Sequence, residues 1–157
     1  MNVLLDTNIL TRWVNPQDRM HTTAVQALKA IRLAGHVCVL VPQNIFEFWA
    51  VATRPLQANG LGLSTEESVL EVDRLALPLF KILLDERGIL AQWRKLVEDH
   101  QVQGKPTHDA RLVAAMLRHR ITHLLTFNTG DFTRYTEITI VHPDDVVSGM
   151  ALGPTGP

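Results

Sequence analysis

Apolar positions along this chain follow two regimes. Short runs rich in branched residues, at 3–5, 37–41, 79–83, 123–127 and 138–141, are separated by longer stretches in which apolar residues recur at helical spacing. This alternation predicts a βα-repeating α/β fold with a parallel sheet of about five strands. The runs are continuous rather than strictly alternating, which suits strands covered by helices on both faces.

The helical stretches have readable ends. Residues 22–33 carry Ala24, Val25, Leu28 and Ile31 on one side and stop before Gly35, a suitable C-terminal cap. Residues 43–53 are apolar nearly all round, so a largely buried helix is expected, with Glu47 as its lone charge. Ser64-Thr65-Glu66-Glu67 has the form of a capping box, followed at helical spacing by Val69, Leu70, Val72 and Leu75. A helix is expected to start at Glu86, with Ile89, Leu90, Trp93, Leu96 and Val97 as its stripe, and to end before Gly104. Another opens at Pro106-Thr107-His108-Asp109, with Ala110, Val113, Ala114 and Leu117 facing inward. There is no internal repeat. Residues 1–148 are expected to form one domain, and 149–157, ending Gly-Pro-Thr-Gly-Pro, a mobile tail.

Charge adds a constraint. A formal net charge of -1 gives the 157-residue chain no long-range pull on a polyanion, so any phosphate chemistry must be local. The single cysteine, Cys38, lies inside an apolar run and has no internal disulfide partner, which suits a reducing cytoplasm. The opening apolar run is interrupted at Asp6, too soon for a signal segment or membrane span, so a soluble, unprocessed protein is expected.

In open α/β sheets ligands bind beyond the carboxyl ends of the strands, which directs attention to four acids. Asp6 follows the first run, Asp131 lies past the fourth, Asp109 sits at a helix start, and Glu47 interrupts the apolar helix. Each has an ordinary explanation. Asp6 suits a helix cap, Asp109 a first-turn acid favoured by the helix dipole, and Asp131 a turn; Glu47 suits a solvent-facing position. Taken together they match a specific chemistry: hard cations such as Mg²⁺ take oxygen ligands, and a carboxylate cluster holding them can hydrolyse a phosphodiester with little other help.

Leu4-Leu5-Asp6-Thr7-Asn8-Ile9-Leu10, Glu47-Phe48-Trp49, His108-Asp109-Ala110-Arg111-Leu112 and Leu125-Thr126-Phe127-Asn128-Thr129-Gly130-Asp131-Phe132 together resemble the PIN-domain ribonucleases, in particular the VapC-type toxins of bacterial toxin–antitoxin pairs. The likeness runs through nearly the whole chain, in order, and includes Arg54-Pro55 and Asn59-Gly60-Leu61-Gly62. It implies a three-layer α/β/α sandwich. It also implies a Mg²⁺ or Mn²⁺ pocket of Asp6, Glu47, Asp109 and Asp131, supported by Thr7 and Asn128. Activity on single-stranded RNA, a homodimer and a cognate antitoxin are implied with it. Arg54, Lys105, Arg111 and Arg134 lie in or beside the motif segments and are candidate contacts to RNA phosphates, against the plainer reading of each as solvated surface charge.

Competing readings are weaker. An aspartyl-phosphate enzyme would also place an acid after the first strand, but Asn8 stands where dehalogenase-like phosphatases carry a second acid. His119 and His123 have i, i+4 spacing, yet a strand is expected to begin at His123, and no Cys pair supports zinc. Gly60-Leu61-Gly62 is too short for a dinucleotide fingerprint. A non-catalytic RNA- or protein-binding module built around a metal is the main alternative of another class. Apolar surface from Trp13, Phe48 or Trp49 would serve a dimer or antitoxin interface, against the plainer reading that core packing accounts for aromatic residues at helical spacing.

Overall fold

A computed structural model describes residues 1–76, 79–149 and 152 of the chain. The expected strands are present, all but β1 shorter than their apolar runs: β1 (Asn2–Leu5), β2 (Val37–Leu40), β3 (Lys81–Ile82), β4 (His123–Leu125) and β5 (Thr139–Val141). They form one parallel sheet in the order β3-β2-β1-β4-β5. At β2 the run outlasts the strand because its final residue is already turning towards the next element. Val41 is the N-cap of a helix and donates its N–H to Asn44 Oδ1 at 2.9 Å.

The helices are α1 (Thr7–Val14), α2 (His21–Leu33), α3 (Pro42–Ala52), α4 (Thr65–Ala76), α5 (Ile89–Asp99), α6 (Thr107–Arg118) and α7 (Pro143–Val147). Adjacent strand residues point to opposite faces. Val3, Leu5, Cys38 and Leu40 pack with α1, α2, α3, α4 and α7, whereas Leu4, Val39 and Val41 pack with α5 and α6. The result is the three-layer sandwich with helices on both faces of the sheet. The capping box is formed reciprocally: Ser64 N–H donates to Glu67 Oε2 at 2.7 Å and Glu67 N–H to Ser64 Oγ at 3.0 Å.

Three expectations change. The helix expected from Glu86 begins at Ile89, because Glu86 pairs instead with Arg118 of α6 and Gly88 becomes the N-cap. The apolar helix α3 is not buried all round: Phe46 is 67% exposed, and Gln43 and Asn44 are buried in its first turn, where they carry hydrogen bonds into the interior. Helices α1 and α7 were not resolved by periodicity, both being too short to repeat a pattern twice. The tail expected to be mobile lies outside the described residues apart from Gly149 and Leu152; Leu152 packs against the core beneath α1 to α4 and α7.

Strand β1 sits in the middle of the sheet, and the chain leaves it first towards β2 and β3 and only later returns to β4 and β5 on its other side. The point of reversal lies between β1 and β4. A crevice opens at the carboxyl ends of strands at such a reversal.

Candidate active site

Asp6 leaves β1 at this crevice. Its backbone N–H donates to Leu125 O of β4 at 2.9 Å, which fixes where its side chain emerges. Although Asp6 is the N-cap of α1, its carboxylate makes no capping hydrogen bond. Oδ2 instead accepts from Thr126 Oγ1 at 2.6 Å and Asn8 Nδ2 at 2.7 Å. The Thr126 hydroxyl also accepts from Asn8 Nδ2 and from the Asn128 N–H, each at 3.0 Å, so its one donor and two acceptor positions are all used. Asn8 Oδ1 takes the Phe127 N–H at 3.2 Å. Asp6 is thereby clamped from the end of β4 and from the first turn of α1.

Glu47 is held from the other side. Thr7 Oγ1 donates to its Oε2 at 2.8 Å, and Gln43, one helical turn earlier on α3, donates Nε2 to its Oε1 at 2.7 Å. The same Gln43 nitrogen reaches His108 O at 2.8 Å, and Gln43 Oε1 accepts from Arg111 at 3.0 Å. Asn44 donates to Leu5 O at 2.9 Å, binding α3 to the end of β1. Each buried amide is fully employed, as a polar group in this position must be.

Asp109 occupies the first turn of α6 and Asp131 a short 3-10 turn, Thr129–Phe132, after β4. With Asp6 and Glu47 they line one cleft of about 560 Å³, whose wall also includes Thr7, Asn8, Asn128, Arg54 and Lys105. Electrostatics reports the convergence. Asp109 is pushed up to about 6, first by burial and then by repulsion from Asp131, Asp6 and Glu47. That rise occurs despite a position at a helix N-terminus, which favours the ionised form. Asp6 is also raised, chiefly by burial, with the Thr126 hydroxyl pulling down and Glu47 pushing up.

Of the remaining sequence candidates, Arg111 is not a wall of this cleft; it is drawn to Gln43 and to Asp85 Oδ2, the latter at 2.7 Å. Arg134 is exposed and also outside the lining. Asn8, Gln43, Asn44 and Thr126 were not picked out from the sequence as supports. Their signal was present: polar residues opening an apolar helix, and a hydroxyl inside the run Leu124-Leu125-Thr126-Phe127.

Residues 3–138 match the PIN domain family. The chain belongs to that family. PIN domains are nucleases, hydrolases that generally work with divalent metal ions. No curated protein matches the sequence. Among solved structures, this PIN domain resembles VapBC2 from Rickettsia felis bound to a DNA fragment from their promoter, with a TM-score of 0.66 and 16% identity over 90% of this chain and 98% of the other. It resembles FitAcB from Neisseria gonorrhoeae with a TM-score of 0.60 and 26% identity over 90% and 97%. It also resembles Mycobacterium tuberculosis VapC20, a sarcin–ricin loop cleaving toxin, with a TM-score of 0.59 and 15% identity over 78% and 86%. These are likenesses of fold.

The donor set fits a hard divalent cation. All four acids of the PIN domain cleft offer oxygen, and their mutual repulsion is what a cation relieves. Among the described residues, no three His, Cys, Asp or Glu side chains are close enough to form a ready-made metal cage. Mg²⁺ does not require one, because it usually keeps several waters and shares itself between one or two carboxylates and substrate phosphates. No helix among the described residues is long and apolar enough to cross a membrane.

Proposed function

We propose that this PIN domain is a Mg²⁺- or Mn²⁺-dependent endoribonuclease that hydrolyses phosphodiester bonds of single-stranded RNA, as the cytoplasmic, homodimeric toxin of a toxin–antitoxin pair restrained by a cognate antitoxin. The observation that carries the chemistry is the meeting of four acids in one cleft at the sheet's point of reversal, where burial first and then the neighbouring acids lift Asp109 to about 6. The biological setting is supported by likeness to a structure described as a toxin–antitoxin complex from Klebsiella pneumoniae, and by a single buried Cys38 that suits a reducing compartment.

Asp6, Glu47, Asp109 and Asp131 would hold the cation, which would supply Lewis-acid activation of water and neutralise charge on the phosphate. The protein's own contribution is positioning. Thr126 and Asn8 fix one acid and Thr7 and Gln43 another, each at the ordinary length of a charge-assisted hydrogen bond. Such pre-set geometry leaves little to reorganise as the phosphorus is attacked. Asp109 holds its proton more tightly than an ordinary carboxyl, and a bound cation would favour its ionised form. Arg54 and Lys105 on the cleft wall contact the phosphates flanking the cut, and Asn128 supports the bound strand. Arg111 acts through Gln43 on Glu47, and Arg134 meets RNA only beyond the cleft.

The deciding experiment incubates wild-type protein and an Asp6→Asn, Asp109→Asn double variant with a mixed pool of RNAs in Mg²⁺, Mn²⁺ or chelator, and sequences the product ends. Cuts that need both the metal and the acids are the expected result. Cuts that persist in the folded double variant, or an RNA pool left whole by the wild type, would remove the reading.

A further inference from the structure

A second cleft, of about 500 Å³, lies directly beside the acidic one. Its walls include Ile89, Leu90 and Trp93 of α5, Asp85 and Arg111, and it shares His108 with the acidic cleft, so the two are contiguous. The volume falls in the range of about 300–1,000 Å³ found for small-molecule sites. Its composition is also that of a ligand site, with an apolar and aromatic lining and a few placed polar groups.

The polar groups are unusually well fixed for a surface hollow. Trp93 donates its indole N–H to Thr107 O at 3.1 Å, which sets the half-buried ring against the start of α6, two residues from Asp109. Arg111 is held at both ends, by Gln43 and by Asp85. Glu86 is paired with Arg118. Both acids at the mouth are therefore matched by a guanidinium, and the hollow does not repel a polyanion as the neighbouring acid cluster does.

We infer that this second cleft is a nucleobase subsite, which seats one unpaired base of the RNA strand next to the scissile phosphate, with Trp93 and Arg111 as its planar partners and Asp85 as an acceptor for an exocyclic amine. The inference rests on the nuclease reading for its substrate class. Single-stranded RNA is recognised by splaying bases onto aromatic rings and guanidinium planes, and a carboxylate accepts from an exocyclic amino group. The hydrogen-bonded series Asp85–Arg111–Gln43–Glu47 joins the base seat to a cleft acid, so a seated base also steadies Glu47. Leu90, 72% exposed on the wall of the hollow, offers the base an apolar contact at the open side.

The test uses short single-stranded RNAs carrying one abasic residue at successive positions. Wild type, Trp93→Phe, Trp93→Leu and Leu90→Ser are compared, each first checked for an unchanged melting curve. Cleavage is followed in Mg²⁺, and binding of the same RNAs is followed in chelator by fluorescence anisotropy. In wild type, one abasic position should weaken binding about tenfold, the range expected for one base on an aromatic ring. That penalty should persist in Trp93→Phe, vanish in Trp93→Leu and shrink in Leu90→Ser, while penalties elsewhere stay. Because Leu90 is exposed, its variant keeps the test open if Trp93→Leu fails to fold. Position-specific loss in binding without any cleavage would support the subsite and remove the nuclease reading. Cleavage with identical abasic penalties in all four proteins would overturn the subsite and leave the nuclease standing. Abasic penalties untouched by Trp93→Leu, together with weakened binding to a co-purified protein partner, would likewise overturn it and reassign the hollow to that partner.

Discussion

Asp109 is where the cost of building the cleft is most visible. Its carboxyl titrates near 3.8 in an ordinary setting and at about 6 in the fold. Between those values the folded chain keeps a proton that the unfolded chain has already released, so folding is favoured at the acid end of the window and weakened as pH climbs through it. Asp6, also raised, acts in the same direction. In chelator the melting temperature should therefore carry a component that falls as pH rises from about 4 to about 6 and then levels off. Asp109→Asn should lose the larger part of that component, keeping only the share from Asp6, and at pH 7.5 melt above wild type. Discounted for partial solvent exposure, the gain is about 1 kcal/mol, roughly 2–4 °C for a domain of this size. Adding Mg²⁺ should reverse the ranking, because only the wild type has the full set of acids for it to bind. Melting curves over a pH series, with and without Mg²⁺, check both parts; a variant no more stable than wild type at pH 7.5 in chelator would contradict them.

Among the elements, the segment after α3 shows how a turn can serve the cleft. Asn59, in a left-handed conformation with φ 58°, reverses the chain, and Gly60 and Gly62 donate their N–H groups to Pro55 O and Arg54 O. A Cβ on Gly60 would lie 1.9 Å from Arg54 O, a backbone atom that cannot swing aside. Gly60→Ala should destabilise the protein by about 1–3 kcal/mol and displace Arg54 from the cleft wall, raising KM for RNA more than it lowers kcat. Steady-state kinetics beside thermal unfolding will separate the two effects. Asn59-Gly60-Leu61-Gly62 reads from the sequence only as a turn, and what the turn presses against depends on the fold. The same limit applies to Gln43 and Thr126. A polar residue in an apolar stretch announces that it has partners, but only the packing of α3 against β1 and β4 names them. The strands and the longer helices were legible because burial on both faces imposes continuous runs and 3.6-residue stripes. The four acids were legible as candidates by their places after strands and at a helix start; that they share a cleft became visible through topology.

For the whole molecule, a net charge of -1 and an acidic cleft mean that RNA is engaged locally, not drawn in from a distance. With Arg54 and Lys105 as the cations on the cleft wall, the logarithm of RNA affinity should fall with the logarithm of salt at a slope of roughly -1 to -2, the value for about two phosphates on a single strand. Arg54→Ala with Lys105→Ala should flatten it towards zero, as binding titrations across a salt series will record. A slope much steeper than this would mean that a basic surface elsewhere does the binding. The order of the strands has a further bearing on how such a protein is made. Asp6 precedes its clamp, Thr126, by 120 positions, and its companion Asp131 comes later still. Since β1 pairs with β4, a chain not yet extended past β4 has neither the neighbouring strand nor the hydroxyl that orients Asp6. Translation therefore completes the acid cluster only once β4 and the turn after it have been made, and every shorter nascent chain lacks the assembled cleft.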